Sequence, residues 1–394
     1  MLIGLVGKPS VGKSTFFKAA TLAEVEIASY PFTTIKANHG IGYVKTDCID
    51  KEFNTQCNPS HGFCINHKRF VPVKLMDVAG LVPGASEGKG LGNQFLDDLR
   101  EADAFIQIVD ASGTTDEEGK ETENYDVSKD IYFLEDELNK WYYAIFLKVW
   151  GTFARKTDVE HSKFSEAVVK QFSGLRVNEE QVKKILRELS FPERASTWSE
   201  EQVKKFASEL RKASKPMIIA ANKVDTRDGK KNYELLKQKF PHLTIIPVSA
   251  DCELALRSAA KAGILDYIPG ERSFTIKKEL NPEQKQALDK IKTNILDVFE
   301  TGTGVQEILN KVVFEILEYI AVFPASASKL ADSKGNILPD CFLFPKGSTA
   351  LDFAYYLHTD FGKNFIKAID ARSKKTLGKS YELKQGDALE IVSR

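Results

Sequence analysis

Cysteine is scarce in this chain: five residues in 394, too few for a scaffold held by disulfides. Net charge is lacking as well, because 55 Lys and Arg balance 55 Asp and Glu, which excludes a globally basic nucleic-acid coat but not a local basic patch. Long uncharged apolar runs are missing, so no transmembrane helix is expected. The first ten residues, MLIGLVGKPS, lack the charged start and long apolar core of a secretory leader. What is present is a hydrophobic share of 42%, enough to bury sizeable cores and incompatible with disorder. A cytoplasmic protein of two or three domains is expected.

Short Val- and Ile-rich runs punctuate the chain at Leu2–Val6, Val71–Met76, Ala104–Val109, Met217–Ala221 and Thr244–Val248. Continuous apolar runs of this length fit parallel strands buried on both faces. Helical patterns lie between them, including Ser14–Ala23 and Gly90–Arg100. The alternation predicts an α/β domain with a doubly wound, mainly parallel sheet and ligands at the carboxyl ends of its strands. We place this domain at 1–113 and 215–320.

Residues 114–214 lose the strand signal and form a predicted helical insertion. Over Asp130–Arg155, apolar residues recur at spacings of three and four, one face of a helix. Its aromatic stripe from Trp141 to Trp150 reads as helix core before it reads as a base-stacking platform. Glu179–Leu189 and Ser199–Ala213 are further helices, the latter opening on the capping box Ser199-Glu200-Glu201-Gln202. From Lys148 to Lys215 there are 15 Lys and Arg against 10 Asp and Glu, a surplus that fits a solvated helical surface. Residues 321–394 show strand–helix–strand character, with strands at Cys341–Phe344, Asn364–Asp370 and Ala388–Val392, as in a small α+β domain.

Gly7-Lys8-Pro9-Ser10-Val11-Gly12-Lys13-Ser14 matches G-x-x-x-x-G-K-[ST] between a predicted strand and a predicted helix. Such a loop curls backbone N–H groups around phosphates, with Thr15 continuing the binding segment. The lysine, Lys13, reaches the β and γ oxygens, and Ser14 binds Mg²⁺. Asp77-Val78-Ala79-Gly80 follows the Val71–Met76 strand, placing Asp77 for Mg²⁺ through water and the Gly80 N–H for the γ-phosphate. Asn222-Lys223-Val224-Asp225 ends another strand. A carboxylate at Asp225 can accept from both N1–H and the exocyclic amine of guanine, a donor pair adenine lacks. Ser249 and Ala250 supply the small-residue loop that closes over the base. Four ordered motifs on four strand ends predict a GTP- and GDP-binding P-loop domain.

Taken together these residues resemble the Obg family, in its YchF or Obg-like ATPase branch of archaeal form. Tyr30-Pro31-Phe32-Thr33-Thr34 is similar to that family's first switch. Asp77 through Ala85, followed by Gly88-Lys89-Gly90-Leu91-Gly92, is similar to its second. Leu343 through Ala354 resembles a TGS domain, a β-grasp module. The resemblance implies a Mg²⁺-dependent GTPase acting as a slow switch, with Lys13, Thr34 and Gly80 in the catalytic set. Thr34 meets the metal in this reading, and Thr33 is the alternative. It also implies a ribosome or RNA partner reached through the TGS-like domain and the helical insertion. Two other readings stay open: an ATPase like the family's ATP-using members, and an RNA- or ribosome-binding protein gated by nucleotide. Leu81 stands where Ras-like enzymes carry a water-orienting glutamine, so hydrolysis is expected to be slow or completed by another group. Ser10 stands where potassium-activated relatives have asparagine.

Three of the five cysteines, Cys48, Cys57 and Cys64, crowd together with His61 and His67. Three thiols and the His67 imidazole suit a tetrahedral structural Zn²⁺ site. Their spacing does not match a C-x₂₋₄-C knuckle, and a hairpin with disulfide-paired or free thiols fits the same residues.

Overall fold

The structure, a computed structural model, describes residues 1–21, 38–78, 80, 99–326, 330–332 and 335–394. The expected switch residues Thr33, Thr34 and Leu81, most of the Gly90–Arg100 helix and the glycine-rich stretch 84–92 lie outside them.

Strands β1 (Leu2–Val6), β2 (His39–Asp47), β3 (Phe63–Ile65), β4 (Lys68–Asp77), β5 (Ala104–Asp110), β6 (Met217–Asn222) and β7 (Ile245–Val248) form one sheet. Its order is β2-β4-β1-β5-β6-β7, with β3 paired to β4. The β4–β1–β5–β6–β7 ladders are all parallel, and β3–β4 is antiparallel. The parallel core explains the apolar runs: all five residues of β1 and all seven of β5 are buried. Five strands therefore lie where the apolar runs predict them, each within a few residues.

By density of contact the chain divides into two units, one of Met1–Ala19, Asn38–Gly40 and Lys74–Ile308, the other made mainly of Ile41–Val73 and Leu309–Arg394.

In the first unit, helix α1 (Lys13–Thr21) follows β1 through the glycine-rich loop. Between β5 and β6 come α2 (Ser128–Leu147), α3 (Trp150–Val159), α4 (Phe164–Gln171), α5 (Glu179–Leu189) and α6 (Glu200–Ser214). The single helix expected over Asp130–Arg155 is broken at Lys148–Val149, where Val149 leaves helical geometry at φ −124°. The break redirects the aromatic stripe. Tyr142 and Phe146 pack in the α2 core, while Trp150 and Phe153 face Phe164. Phe146 stacks on Phe172 with ring centroids 3.9 Å apart, and Trp150 meets Trp198. Trp141, Phe146 and Phe206 are buried, so the stripe is core and presents no stacking surface to a base. The expected capping box of α6 is formed, with Ser199 accepting from the Gln202 N–H and Gln202 reaching back. Asn178 and Gln181 do the same at α5. Helices α7 (Gly229–Lys239) and α8 (Ala250–Lys261) follow β6 and β7.

The second unit carries a five-stranded sheet. Strands β10 (Tyr319–Pro324), β11 (Phe342–Pro345), β12 (Phe365–Asp370), β13 (Thr376–Leu377) and β14 (Ala388–Ser393) lie in the order β11-β10-β14-β12-β13. The β10–β14 pair is parallel and the rest antiparallel. Val322, Phe344, Leu389 and Phe353 of the Ala350–Leu357 helix fill its core, a mixed sheet gripping one helix. Between the two sheets in sequence, β8 (Leu265–Tyr267) and β9 (Phe274–Ile276) make a short hairpin. Among the described residues no helix is long and apolar enough to cross a membrane.

Candidate nucleotide-binding site

Four motifs lie at the carboxyl ends of β1, β4, β6 and β7, the place an open parallel sheet offers a ligand. The phosphate loop leaves β1 through Gly7, and a Cβ there would lie 2.4 Å from the Ile108 carbonyl oxygen. Gly12 is the second position only glycine satisfies: φ is +94°, and a Cβ would sit 2.4 Å from Asn222 Nδ2. Ser10 is left-handed between them, at φ 64°. Val11 is fully buried and pins the loop to the core.

Lys13 Nζ donates to two carbonyls of its own loop, Lys8 O at 2.7 Å and Gly7 O at 3.0 Å. Burial pushes its ammonium down to about 8, with the nearby Asp77 carboxylate opposing the shift. The buried cation is held by neutral carbonyls, so an incoming phosphate would supply the charge it lacks. Ser14 Oγ donates to Asp77 Oδ2 at 2.9 Å. Asp77 is in register with Leu5 on the parallel β1–β4 ladder, which brings the second motif beside the first. Gly80 lies against the same loop, where a Cβ would be 3.2 Å from Pro9 and 3.4 Å from Lys13 Nζ.

The other two motifs brace the loop as well as each other. Asn222, buried, donates from Nδ2 to Val11 O at 2.8 Å and accepts at Oδ1 from the Ala250 N–H at 3.1 Å. One amide thus links the phosphate loop, the end of β6 and the start of α8. Lys223 Nζ donates to Ser10 O at 2.9 Å and to Asp110 Oδ2 at 2.8 Å. Asp225 is exposed, and its Oδ1 accepts from Ser249 Oγ at 2.6 Å. Ser249 Oγ also caps α8 by accepting from the Cys252 N–H at 3.4 Å. The Asp225 carboxylate is therefore oriented before any base arrives. Thr15 lies on α1, one residue beyond Ser14.

Two of these contacts could not be read from the motifs. Asp110, at the end of β5 and in register with Asn222, is buried and accepts from Lys223, from Ser112 Oγ at 2.5 Å and from Thr115 Oγ1 at 2.8 Å. Burial alone would push this carboxyl up, but the Lys223, Ser112 and Thr115 hydrogen bonds outweigh it and hold it below the usual range. The only sequence signal was a polar residue closing an apolar strand. Lys8 points away from the phosphate position. Its ammonium donates to Thr115 O at 2.8 Å, pairs with the buried Asp130 at 2.9 Å and lies 4.0 Å from the centre of the Tyr125 ring. Its side chain ties the loop to the start of the helical segment, leaving only its backbone to face a ligand.

The cysteine cluster lies in the second unit. Cys48, Cys57 and Cys64 come together as expected, but the group they form includes Asp50. His67 stands one bond further out, with Nδ1 2.8 Å from Asp50 Oδ1, and His61 pairs with Asp340. The five cysteines are all free thiols.

Known proteins resemble this chain along its length. Residues 2–138 match the family described as 50S ribosome-binding GTPase. Residues 220–326 match Obg-like GTPase YGR210-like, G4 motif-containing domain, and residues 334–393 match the TGS domain. A protein of Methanocaldococcus jannaschii named as an uncharacterized GTP-binding protein is 49% identical over 393 residues, covering 100% of this chain and 99% of its own length. A Bacillus subtilis protein named ribosome-binding ATPase YchF is 29% identical, over 93% of this chain and 87% of its own. The crystal structure of a GTP-binding protein from Pyrococcus horikoshii superposes with a TM-score of 0.78 at 40% identity, covering 100% of both chains.

Proposed function

Since the chain belongs to the Obg-like, YchF-type family of P-loop GTPases that carry a TGS domain, we propose that it binds GTP and GDP and hydrolyses GTP slowly as a conformational switch on the ribosome. The observation that carries the guanine reading is Asp225, held by Ser249 at the mouth of the site. A carboxylate fixed there accepts two hydrogen bonds from guanine and meets no matching donors on adenine.

Lys13 turns from its loop carbonyls to the β and γ oxygens, and the loop's backbone N–H groups together with the α1 N-terminus favour the remaining charge. Mg²⁺ is the cation the family implies, and the residues fit it. Ser14 Oγ and Asp77 Oδ2 are hard oxygen donors 2.9 Å apart beside the loop. When bound, Mg²⁺ would neutralise phosphate charge; Ser14 would hold it directly and Asp77 through water. Gly80, backed against Pro9 and Lys13, would offer its N–H to the γ-phosphate. Thr34 completes the reading as the switch threonine that would meet Mg²⁺ and the γ-phosphate. Leu81 has no group to orient the attacking water, which supports slow turnover and a partner or cation that completes the site.

The partner reading rests on the TGS domain and on relatives named for ribosome binding. It places the protein in the cytoplasm, with the TGS-like domain and the helical insertion as contact surfaces. Relatives named as ATPases keep an ATP-using reading as the alternative. Single-turnover release of labelled γ-phosphate from GTP and from ATP, paired with ribosome co-sedimentation in GTP-analogue and GDP states, tests both parts. We expect GTP to be cleaved faster and co-sedimentation to differ between states. Equal cleavage would return the chain to the ATPase reading, and identical sedimentation in both states would remove the switch.

A further inference from the structure

The cysteine cluster plays no part in nucleotide binding, yet its chemistry is that of a ligand set. Cys48 follows β2, Cys57 lies in the loop beyond the Ile49–Phe53 turn, and Cys64 sits on β3. From these three segments and Asp50, four donor atoms fall within 4.8 Å of one another. Cys48 and Cys57 sulfurs are 3.6 Å apart, and Cys64 Sγ is 3.8 Å from Asp50 Oδ2. With Zn–S bonds of about 2.3 Å, sulfurs at two corners of a tetrahedron stand about 3.8 Å apart. The spacing is already that of a metal site. We propose that Cys48, Cys57, Cys64 and Asp50 bind one structural Zn²⁺ ion.

Burial and charge argue for a cation. Asp50 is 0% exposed, and a carboxylate taken so far from water needs a positive partner. Its oxygens are oriented as those of a ligating carboxylate should be: Oδ1 meets His67 Nδ1 at 2.8 Å, and Oδ2 accepts the Cys57 N–H at 3.0 Å. Arg69 is also 0% exposed. Among the described residues its guanidinium donates to two neutral carbonyls, Leu338 O and Pro339 O, and to Cys57 Sγ at 3.5 Å, while Nε is left without a partner. A buried guanidinium beside Cys57 Sγ favours the thiolate, the form that binds a metal. Three thiolates and one carboxylate around Zn²⁺ would carry two negative charges. Arg69 balances one, and His67 faces the other.

A disulfide explains less. It would join two of the three thiols and leave Arg69 without opposite charge. The spacing of eight and six intervening residues hides the site from any short-motif reading, and the fourth donor is an aspartate with no sequence cue. The metal would lock the 48–64 loop, and Arg69 would tie that lock to the chain entering β11.

The full-length chain, expressed in zinc-supplemented medium and purified without chelators, should carry about one zinc per chain by elemental analysis. Cys57→Ser and Cys64→Ser should lose it, while Cys252→Ser, in the other unit, should keep it. Should the serine variants fail to fold, the wild-type apoprotein titrated with Co²⁺ decides. Thiolate-to-cobalt charge transfer and intense tetrahedral d–d bands are expected, and Asp50→Asn should shift the latter. Absence of both zinc and the cobalt bands would overturn the site, whether the thiols prove free or a Cys48–Cys57 disulfide appears by mass. Bands unchanged in Asp50→Asn would overturn the ligand set.

Discussion

Asp110 has no direct place in nucleotide chemistry, yet the structure makes it the brace behind two of the four loops. Asp110→Asn keeps the shape and removes the charge. Lys223 then loses its carboxylate partner at 2.8 Å and retains Ser10 O at 2.9 Å. Breaking a fully buried pair costs about 3–5 kcal/mol. The Lys223 side chain is 26% exposed, so water recovers part of that, and a loss of about 2 kcal/mol is expected, roughly a factor of 30 in the folding equilibrium. Because the same ammonium steadies the phosphate loop, GTP and ATP should weaken by one common factor, leaving their ratio untouched. The pair should also be non-additive: Lys223→Met in the Asp110→Asn background should cost about 1–2 kcal/mol less than alone. The sign with pH follows from a carboxyl held below its ordinary value. Its contribution is full above the unfolded value of about 4 and fades as pH falls through the folded one. Denaturant unfolding of the four proteins from pH 3 to 7, with nucleotide titrations at pH 7, reads all of this. Additive losses, or a GTP:ATP ratio that moves with Asp110→Asn, would refute the brace.

Other perturbations separate the parts of the site. Gly12→Ala puts a methyl 2.4 Å from Asn222 Nδ2 at φ +94° and should abolish binding of both nucleotides in calorimetry. Retained affinity would mean that Asn222 can give way. Ser249→Ala removes the 2.6 Å bond that orients Asp225 and should lower GTP over ATP discrimination about five-fold, near 1 kcal/mol, with little effect on ATP. An unchanged ratio would show that Asp225 needs no positioning. Lys215 is buried with its ammonium on the Arg100 and Ala102 carbonyls, and burial, aided by Arg176, lowers it to about 8. Both folded and unfolded forms are charged below that pH, so the folded state gains stability as pH rises from 8 toward 10.4. Wild type should improve relative to Lys215→Met by about 1.4 kcal/mol per pH unit in that window, and parallel curves would contradict the assignment.

Much of the fold was legible because its signals are local. Fully buried parallel strands leave apolar runs, and β1 and β5 could hardly read otherwise. Ser199 and Gln202 declare a helix start in four residues. The phosphate loop was equally plain, since Gly7 and Gly12 occupy positions no other residue tolerates. What escaped depends on long-range packing. The break at Val149 carries no proline cue, and Gly151 lies just inside the next helix; the chain turns where Trp150 and Phe153 face Phe164. Lys8 reads as a phosphate-loop residue, and only the arrival of Asp130, 122 positions later, reveals its side chain as a tether. Asp50 and Arg69 are ordinary loop and strand residues until folding buries them beside three thiols.

The central claim is that Asp225 reads guanine. Competitive binding of GTP and ATP with Mg²⁺, on wild type and on Asp225→Ala, tests it most directly. At least a tenfold preference for GTP, about 1.4 kcal/mol, is expected, and it should disappear in the variant while ATP affinity stays. Equal affinities in the wild type, or a preference that survives Asp225→Ala, would contradict it.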